Sequence, residues 1–241
     1  QGDMIKGELL GESNEKLVYA TDDPGKVILC FQDVASAYNN VKTALFPRKG
    51  IVDNRISAFL MDCLQRGGLR THFISLLGDR EQLCRTCTLI PLEVVSRNLI
   101  AGSLADRLAL DEGTRPSAPI YDIYFKDTAL GDPMINDTQA IALDIVSHEE
   151  LSVIYGIARK ANEILSSVFS RAGITLVDFK LEFGKDRQGN VIIVDEITPD
   201  TCRLWDAATG KRLDKDRFRH DLGSIVPSYE EVLARLESID K

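Results

Sequence analysis

The chain is short of several things, and each shortage removes a class of protein. No apolar run approaches the ~18 residues of a membrane-spanning helix. Basic charge is outnumbered: 29 Lys and Arg stand against 37 Asp and Glu, for a formal net charge of −8. A general grip on a nucleic-acid backbone is therefore not expected, although a local basic patch for a small phosphorylated ligand stays open. Cysteine and histidine are sparse, at five and three residues. Cys30, Cys63, Cys84, Cys87 and Cys202 are odd in number and scattered, which reads as reduced thiols in a cytoplasmic protein. Cys84 and Cys87 form a lone C-x-x-C. His72, His148 and His220 are too far apart in sequence to complete a zinc set, so zinc and redox chemistry are not expected. Three signatures are also missing: G-x-x-x-x-G-K-[ST], G-x-G-x-x-G and G-x-S-x-G. P-loop, Rossmann and Ser-His-Asp hydrolase readings fall away with them.

What remains is an ordinary globular composition, 44% hydrophobic and 27% charged. A chain of 241 residues can bury one or two full cores, and two lobes are expected. Gln1 to Asp3 precede a Met and read as an expression remnant, and the following residues lack the order of a signal peptide. Lys16 to Thr21 and Lys26 to Phe31 read as strands joined by the Asp22-Asp23-Pro24-Gly25 turn. Asn54 to Arg66 carries apolar residues at helical spacing and ends at Gly67-Gly68. THFISLL and QLCRTCTLI read as two further strands. Ser103 with Asp106 has capping-box spacing, predicting a helix from there to about Asp111. Residues 113–139 read as a long functional loop in which only YDIYF resembles a strand. Ser147 and Glu150 open a long amphipathic helix closed by Gly173. ITLVDFKLEF and VIIVDEI follow as strands, and Ser228 with Glu231 opens a last helix. Strands and helices mix without regular βαβ alternation, so the expected class is α+β.

Chemistry concentrates in LVDFKLEFG. In a strand, Val177, Phe179, Leu181 and Phe183 share one face, and Asp178, Lys180 and Glu182 share the other. One reading is a solvated face with cross-strand ion pairs. The next strand adds Asp195 and Glu196 to the same region, and grouped carboxylates are what Mg²⁺ prefers when it also holds triphosphate oxygens. TPDTCRLWD then supplies Asp200 and Arg203. DKDRFRHD supplies Lys215, Arg217, Arg219 and His220, either as a surface helix with i,i+4 pairs or as a phosphate grip. SRNLIAGS places Arg97 before a Gly102-Ser103 helix start, a weak anion site when taken alone.

IPLEVVSRNLIAGSLADRL and LVDFKLEFG resemble the two signature segments of the SAICAR synthetases. DEGT, DTALGDPMIND, DEITPDTCRLWD and LDKDRFRHDLG match the same family in the same order, from about Gly11 to the last helix. The resemblance implies a purine-biosynthetic ligase joining L-aspartate to the carboxylate of CAIR (5-amino-1-(5-phosphoribosyl)imidazole-4-carboxylate), with ATP cleaved to ADP and phosphate. It implies two lobes, residues 1–92 like a kinase small lobe and residues 93–241 ATP-grasp-like, with ATP between them. It makes Glu182 and Asp195 the Mg²⁺ ligands, and Arg97, Ser103 and Arg203 the grip on the CAIR phosphate. Asp178 and Lys180 would face the imidazole and its carboxylate, and Asp200 the ribotide or the aspartate. Lys16 and Lys126 would approach the ATP phosphates, Leu89 to Glu93 would hold adenine, and Lys215 and Arg219 would line the entrance. A homo-oligomer is also implied.

One departure stands out. The family's first strand begins with Gly-Lys-Ala-Lys; here the run is Ser13-Asn14-Glu15-Lys16, which removes a glycine from a place of close approach to phosphate. Two rivals remain at this point: a carboxylate–amine ligase for a different acid, and a nucleotide-sensing module without turnover.

Overall fold

The computed structural model describes residues 4–239, so Gln1 to Asp3 lie outside the described residues. Strands β1 (Lys6–Glu12), β2 (Lys16–Thr21) and β3 (Lys26–Phe31) form an antiparallel meander, with the Pro24-Gly25 turn between the last two. A hairpin of β4 (Val34–Ala37) and β5 (Lys42–Leu45) leads into helix α1 (Lys49–Arg66). Strands β6 (Phe73–Leu76) and β7 (Glu81–Arg85) complete a five-stranded sheet in the order β1-β2-β3-β7-β6.

The second sheet begins with β8 (Thr88–Arg97), followed by helix α2 (Gly102–Leu108), β9 (Ile120–Phe125), β10 (Met134–Ile135) and helix α3 (Asp137–Ala142). Helix α4 (His148–Arg171), β11 (Ile174–Lys185), β12 (Val191–Val194), β13 (Cys202–Asp206), α5 (Asp216–Arg219) and α6 (Val226–Ser238) finish the chain. Long β11 is the spine: β8 pairs along one edge, while β12 and then β13 share the other. Every paired strand in both sheets is antiparallel, as the α+β reading requires.

Several expectations shift. The sheets change between β7 and β8, at residues 86–87, so a boundary at residue 92 falls inside β8. QLCRTCTLI is accordingly divided between the two sheets. Pro91 sits in the middle of β8 because it lies where the register with β11 breaks, between Ile90 opposite Phe183 and Glu93 opposite Glu182; a bulge needs no donor from proline. The two halves share one core, which runs from Ala35 and Val52 through Leu92 and Leu165 to Leu236.

Helix α1 starts five residues before Asn54, at Lys49. The Ser147–Glu150 capping box is present, and α4 buries Leu151, Ile154, Ala158, Ala161, Leu165 and Val168. Ser103 does not cap α2: the cap position is Ala101, Ser103 is exposed in the first turn, and the helix stops at Leu108. Ser228 likewise lies buried inside α6, which opens with Val226 and Pro227. Pro suits that first turn because its missing N–H has no partner there. The segment 113–139 holds more than a strand. It includes a one-turn 3-10 helix capped by Asp127, the short β10, and α3 with an Asn136–Gln139 capping box.

The largest correction concerns β11. Leu176 pairs Leu204 and Asp178 pairs Arg203, so Val177 is the extra residue of a β-bulge. Leu176, Phe179, Leu181 and Phe183 face the main core, whereas Val177 packs with Leu99, Ala101 and Trp205. The bulge rephases the strand, and from Asp178 onward the expected charged face holds.

Candidate active site

A cleft of about 1120 Å³ lies between the β1–β2 turn with β4 and the charged face of β11. Lys16, Lys126, Lys180, Glu182, Asp195 and Lys215 all line it. The acids come from β11 and from the end of β12, where Glu182 stands opposite Val194 and so beside Asp195. Asp195 adopts left-handed backbone, φ 64°, which costs a non-glycine residue energy. The ring Nε2 of buried His72 meets the Asp195 carbonyl at 2.8 Å and helps hold that conformation. Burial keeps the His72 pKa down, at about 4, so the ring is neutral and donates there.

Lysines surround these acids. Lys16 ion-pairs with Asp195 and, at 2.6 Å, with Glu196. Lys126 pairs with Glu182; Lys180 reaches Glu182 at 3.2 Å and Glu93 at 3.5 Å. Burial pushes the Asp195 pKa up, but Lys16, Lys180 and Lys126 outweigh it and hold the carboxyl below its usual range. Glu93 moves the other way, because burial and Glu182 exceed the help from Lys180.

The opposite end is built from arginines. Arg203 donates to Asp178 at 3.0 Å and to Asp216 at 2.8 Å. Arg97 donates to Asp122 and the Tyr124 hydroxyl, both at 2.8 Å, and lies 3.6 Å from Asp178. Its side chain is only 2% exposed, with its donors turned to Asp122, Tyr124 and Asp178 rather than to the cleft. Arg219 pairs with Asp216 at 2.7 Å. A Cβ on Gly102 would meet the Arg203 guanidinium at 2.4 Å, so the glycine, with φ 56°, admits the arginine beside Ser103. Sequence separation of about a hundred residues is thus closed at one carboxylate. A cavity of about 220 Å³ next to Arg203 is also lined by Asp178, Lys180, Asp200, Lys215 and Arg219.

Asp200 lines the cleft, but its oxygens are engaged by Lys49 and by the Tyr229 hydroxyl at 2.6 Å. Despite burial, Lys49 and Lys215 lower its pKa to about 2. Lys49 also holds Asp53 at 2.7 Å and is almost wholly buried. Of the stretch Leu89 to Glu93, expected to hold adenine, Glu93 lines the cleft, whereas Leu89 is 63% exposed and lines a separate cavity of about 520 Å³.

The oxygen donors suit a hard divalent cation. Glu182 and Asp195 already hold cationic ammonium groups, and Asp132, which also lines the cleft, has a buried Oδ1 with no partner among the described residues. Burial pushes the Cys87 thiol up to about 11 and Cys84 higher still, which disfavours the thiolate at both.

Sequence reasoning missed Glu15, Lys49, Asp132 and Tyr229. Lys49 and Tyr229 sit on helices as single polar residues, with no local pattern to mark them as buried. Asp132 stood within the quoted DTALGDPMIND segment, and Glu15 within the departing run; both were within reach.

Fold and site together define an α+β protein of antiparallel sheets whose polar cleft is walled by lysines and carboxylates and adjoins a smaller cavity lined by Arg203 and Arg219. The SAICAR synthetase family model matches residues 10–236, and the chain belongs to that family. It is 48% identical over 233 residues to the phosphoribosylaminoimidazole-succinocarboxamide synthase of Fusobacterium nucleatum, covering 97% of this chain and 98% of that one. The crystal structure of the corresponding synthase from Ehrlichia chaffeensis superposes with a TM-score of 0.94 at 46% identity, over 95% of this chain and 98% of that one. A SAICAR synthetase in complex with ADP gives 0.92 at 43% identity, covering 95% and 97%.

Proposed function

We infer that this chain is a phosphoribosylaminoimidazole-succinocarboxamide synthase of purine biosynthesis, an ATP-dependent ligase joining L-aspartate to CAIR. Family membership over nearly the whole chain supports this, and the observation that carries it to residues is that the lysine-lined cleft and the small cavity beside Arg203 share Lys180, Asp200, Lys215 and Arg219 as common walls. The sheet carrying β1 to β3 acts as the nucleotide-covering lobe, like the small lobe of a kinase. The β11 sheet acts as an ATP-grasp-like lobe, with ATP between the two.

A carboxylate is a poor electrophile. The CAIR carboxylate oxygen attacks the γ-phosphorus of ATP, ADP leaves, and an acyl phosphate results. The aspartate amine then attacks the carbonyl carbon, phosphate leaves, and the nitrogen gives up its proton. Lys16 and Lys126 bind the triphosphate, and Lys180, with Asp178, orients the CAIR carboxylate and offsets its developing charge. Glu182 and Asp195 would hold Mg²⁺, which supplies charge neutralisation at the phosphates when bound. Arg203 and Ser103 take the 5′-phosphate of CAIR, with Arg97 fixing Asp178 behind them. Lys215, Arg219 and Asp200 flank the entry of the anionic substrates, and backbone near Leu89 and Glu93 holds adenine.

The test is ADP release measured with each substrate withheld in turn. Release is expected only with CAIR and L-aspartate both present. ADP formed with another acid in place of CAIR would mark a different ligase, and binding of ATP without turnover would mark a sensing module.

A further inference from the structure

The run Ser13-Asn14-Glu15-Lys16 leaves one side chain without a task. Glu15 puts a carboxylate where the family's Gly-Lys-Ala-Lys has alanine, directly before the nucleotide lysine. Its Oε1 accepts from the Ser36 backbone N–H at 3.0 Å and the Ser36 hydroxyl at 2.8 Å, which fixes it against β4. The same oxygen holds the Lys215 ammonium at 3.1 Å, two hundred residues away in sequence. Lys215 lines both the large cleft and the small cavity beside Arg203, so its ammonium stands at the junction of the two.

We propose that Glu15 is a positioning residue that holds the Lys215 ammonium at this junction for the anionic substrate. The inference rests on the reading that Lys215 serves that substrate. A lysine has a flexible four-carbon stem with high rotamer entropy, so an unpinned ammonium would not stay at one place. Without Glu15, Lys215 rotates toward Asp200, whose charge it already stabilises, or toward solvent. Burial and Asp200 raise the Glu15 pKa, but Lys215 and Ser36 outweigh them, so the strut is ionised at neutral pH. Losing this negative charge beside Lys16 has no reason to weaken ATP.

Three substitutions separate charge from hydrogen bonding. Glu15→Gln keeps an acceptor for Ser36 but loses the ion pair; Glu15→Ala loses both; Glu15→Asp shortens the strut. The Gln and Ala variants are expected to raise the CAIR KM about five-fold or more, with kcat within about two-fold and ATP KM unchanged or lower. The Asp variant should recover part of the loss. Lys215→Met alone should raise the CAIR KM similarly, and adding Glu15→Gln to it should raise it no further. A Gln variant with wild-type CAIR KM, or one with a lower CAIR KM, overturns the proposal. So does a fall in melting temperature with both KM values and kcat moving together, which is what a purely structural bond to Ser36 would produce. A wild-type chain that releases ADP without needing CAIR overturns the functional reading itself, and this inference with it.

Discussion

At one end of the cleft three lysines, Lys16, Lys126 and Lys180, meet Asp195, Glu196, Glu182 and Glu93. In and behind the small adjoining cavity, three arginines, Arg97, Arg203 and Arg219, meet Asp178 and Asp216. The two ends handle charge differently. An ammonium is a compact charge on a flexible stem and can exchange one carboxylate for another, or for a phosphate oxygen. A guanidinium is a planar fork that fixes two acids at once, as Arg203 fixes Asp178 and Asp216. The lysine end is therefore suited to change partners when an anionic ligand enters, and the arginine end to present a shape assembled in advance.

The largest expected effect breaks the lysine end. Glu182→Gln or Asp195→Asn should lower kcat/KM by roughly a thousand-fold, about 4 kcal/mol, with circular dichroism and melting temperature close to wild type. Near-normal turnover at saturating Mg²⁺ would remove both carboxylates from the metal assignment. The next sharpens the arginine end. Arg203→Lys keeps the charge but loses the fork, so the CAIR KM should rise about ten-fold, ~1.4 kcal/mol, while ATP KM barely moves. Equal changes in both KM values with a lower melting temperature would make Arg203 a structural ion pair only.

The smallest effect is in stability, behind Arg203. Buried Asp214 accepts from the backbone N–H of Leu204 at 2.7 Å and of Asp216 at 2.8 Å. Burial and the neighbouring Asp216 nonetheless raise its pKa from 3.8 to about 7. Between those values the folded chain keeps a proton that the unfolded chain has released. This group's contribution to stability therefore falls as pH rises from about 4 to 7. Asp214→Asn should flatten that part of the melting-temperature profile and lower the whole profile, because the two N–H groups use separate carboxyl oxygens and the amide keeps only one. An unchanged slope would show that the carboxyl ionises normally in place.

Much of this architecture is legible from local patterns, because β2, β3, α4 and the Ser147 cap are each determined by neighbours in sequence. The charged face of β11 follows from period-two alternation alone. The Val177 bulge does not, since it depends on how β13 pairs, and a one-residue slip is invisible until the partner strand is placed. The caps at Ser103 and Ser228 misled because a serine with an acid three residues later occurs inside first turns as well as before them. At the site, the acids and arginines were readable as types and as family positions. Their pairing was not: that Arg97 and Arg203 converge on Asp178, or that Lys49 reaches Asp200, is decided by tertiary packing.

The Tyr229 hydroxyl on Asp200 has a consequence for the order in which the chain is made. Synthesis delivers the N-terminal strands first. Lys16 on β2 and Lys49 on α1 thus exist long before Asp195, Asp200 and the α6 tyrosine that secures the latter. A nascent chain displays Lys16 before its counter-charges Asp195 and Glu196, and Lys49 with Asp53 alone, and Asp200 is secured on both oxygens only once Tyr229 has emerged. A chain ending before α6 would carry Lys16, Lys49 and Asp200 without the hydroxyl that fixes the last of them.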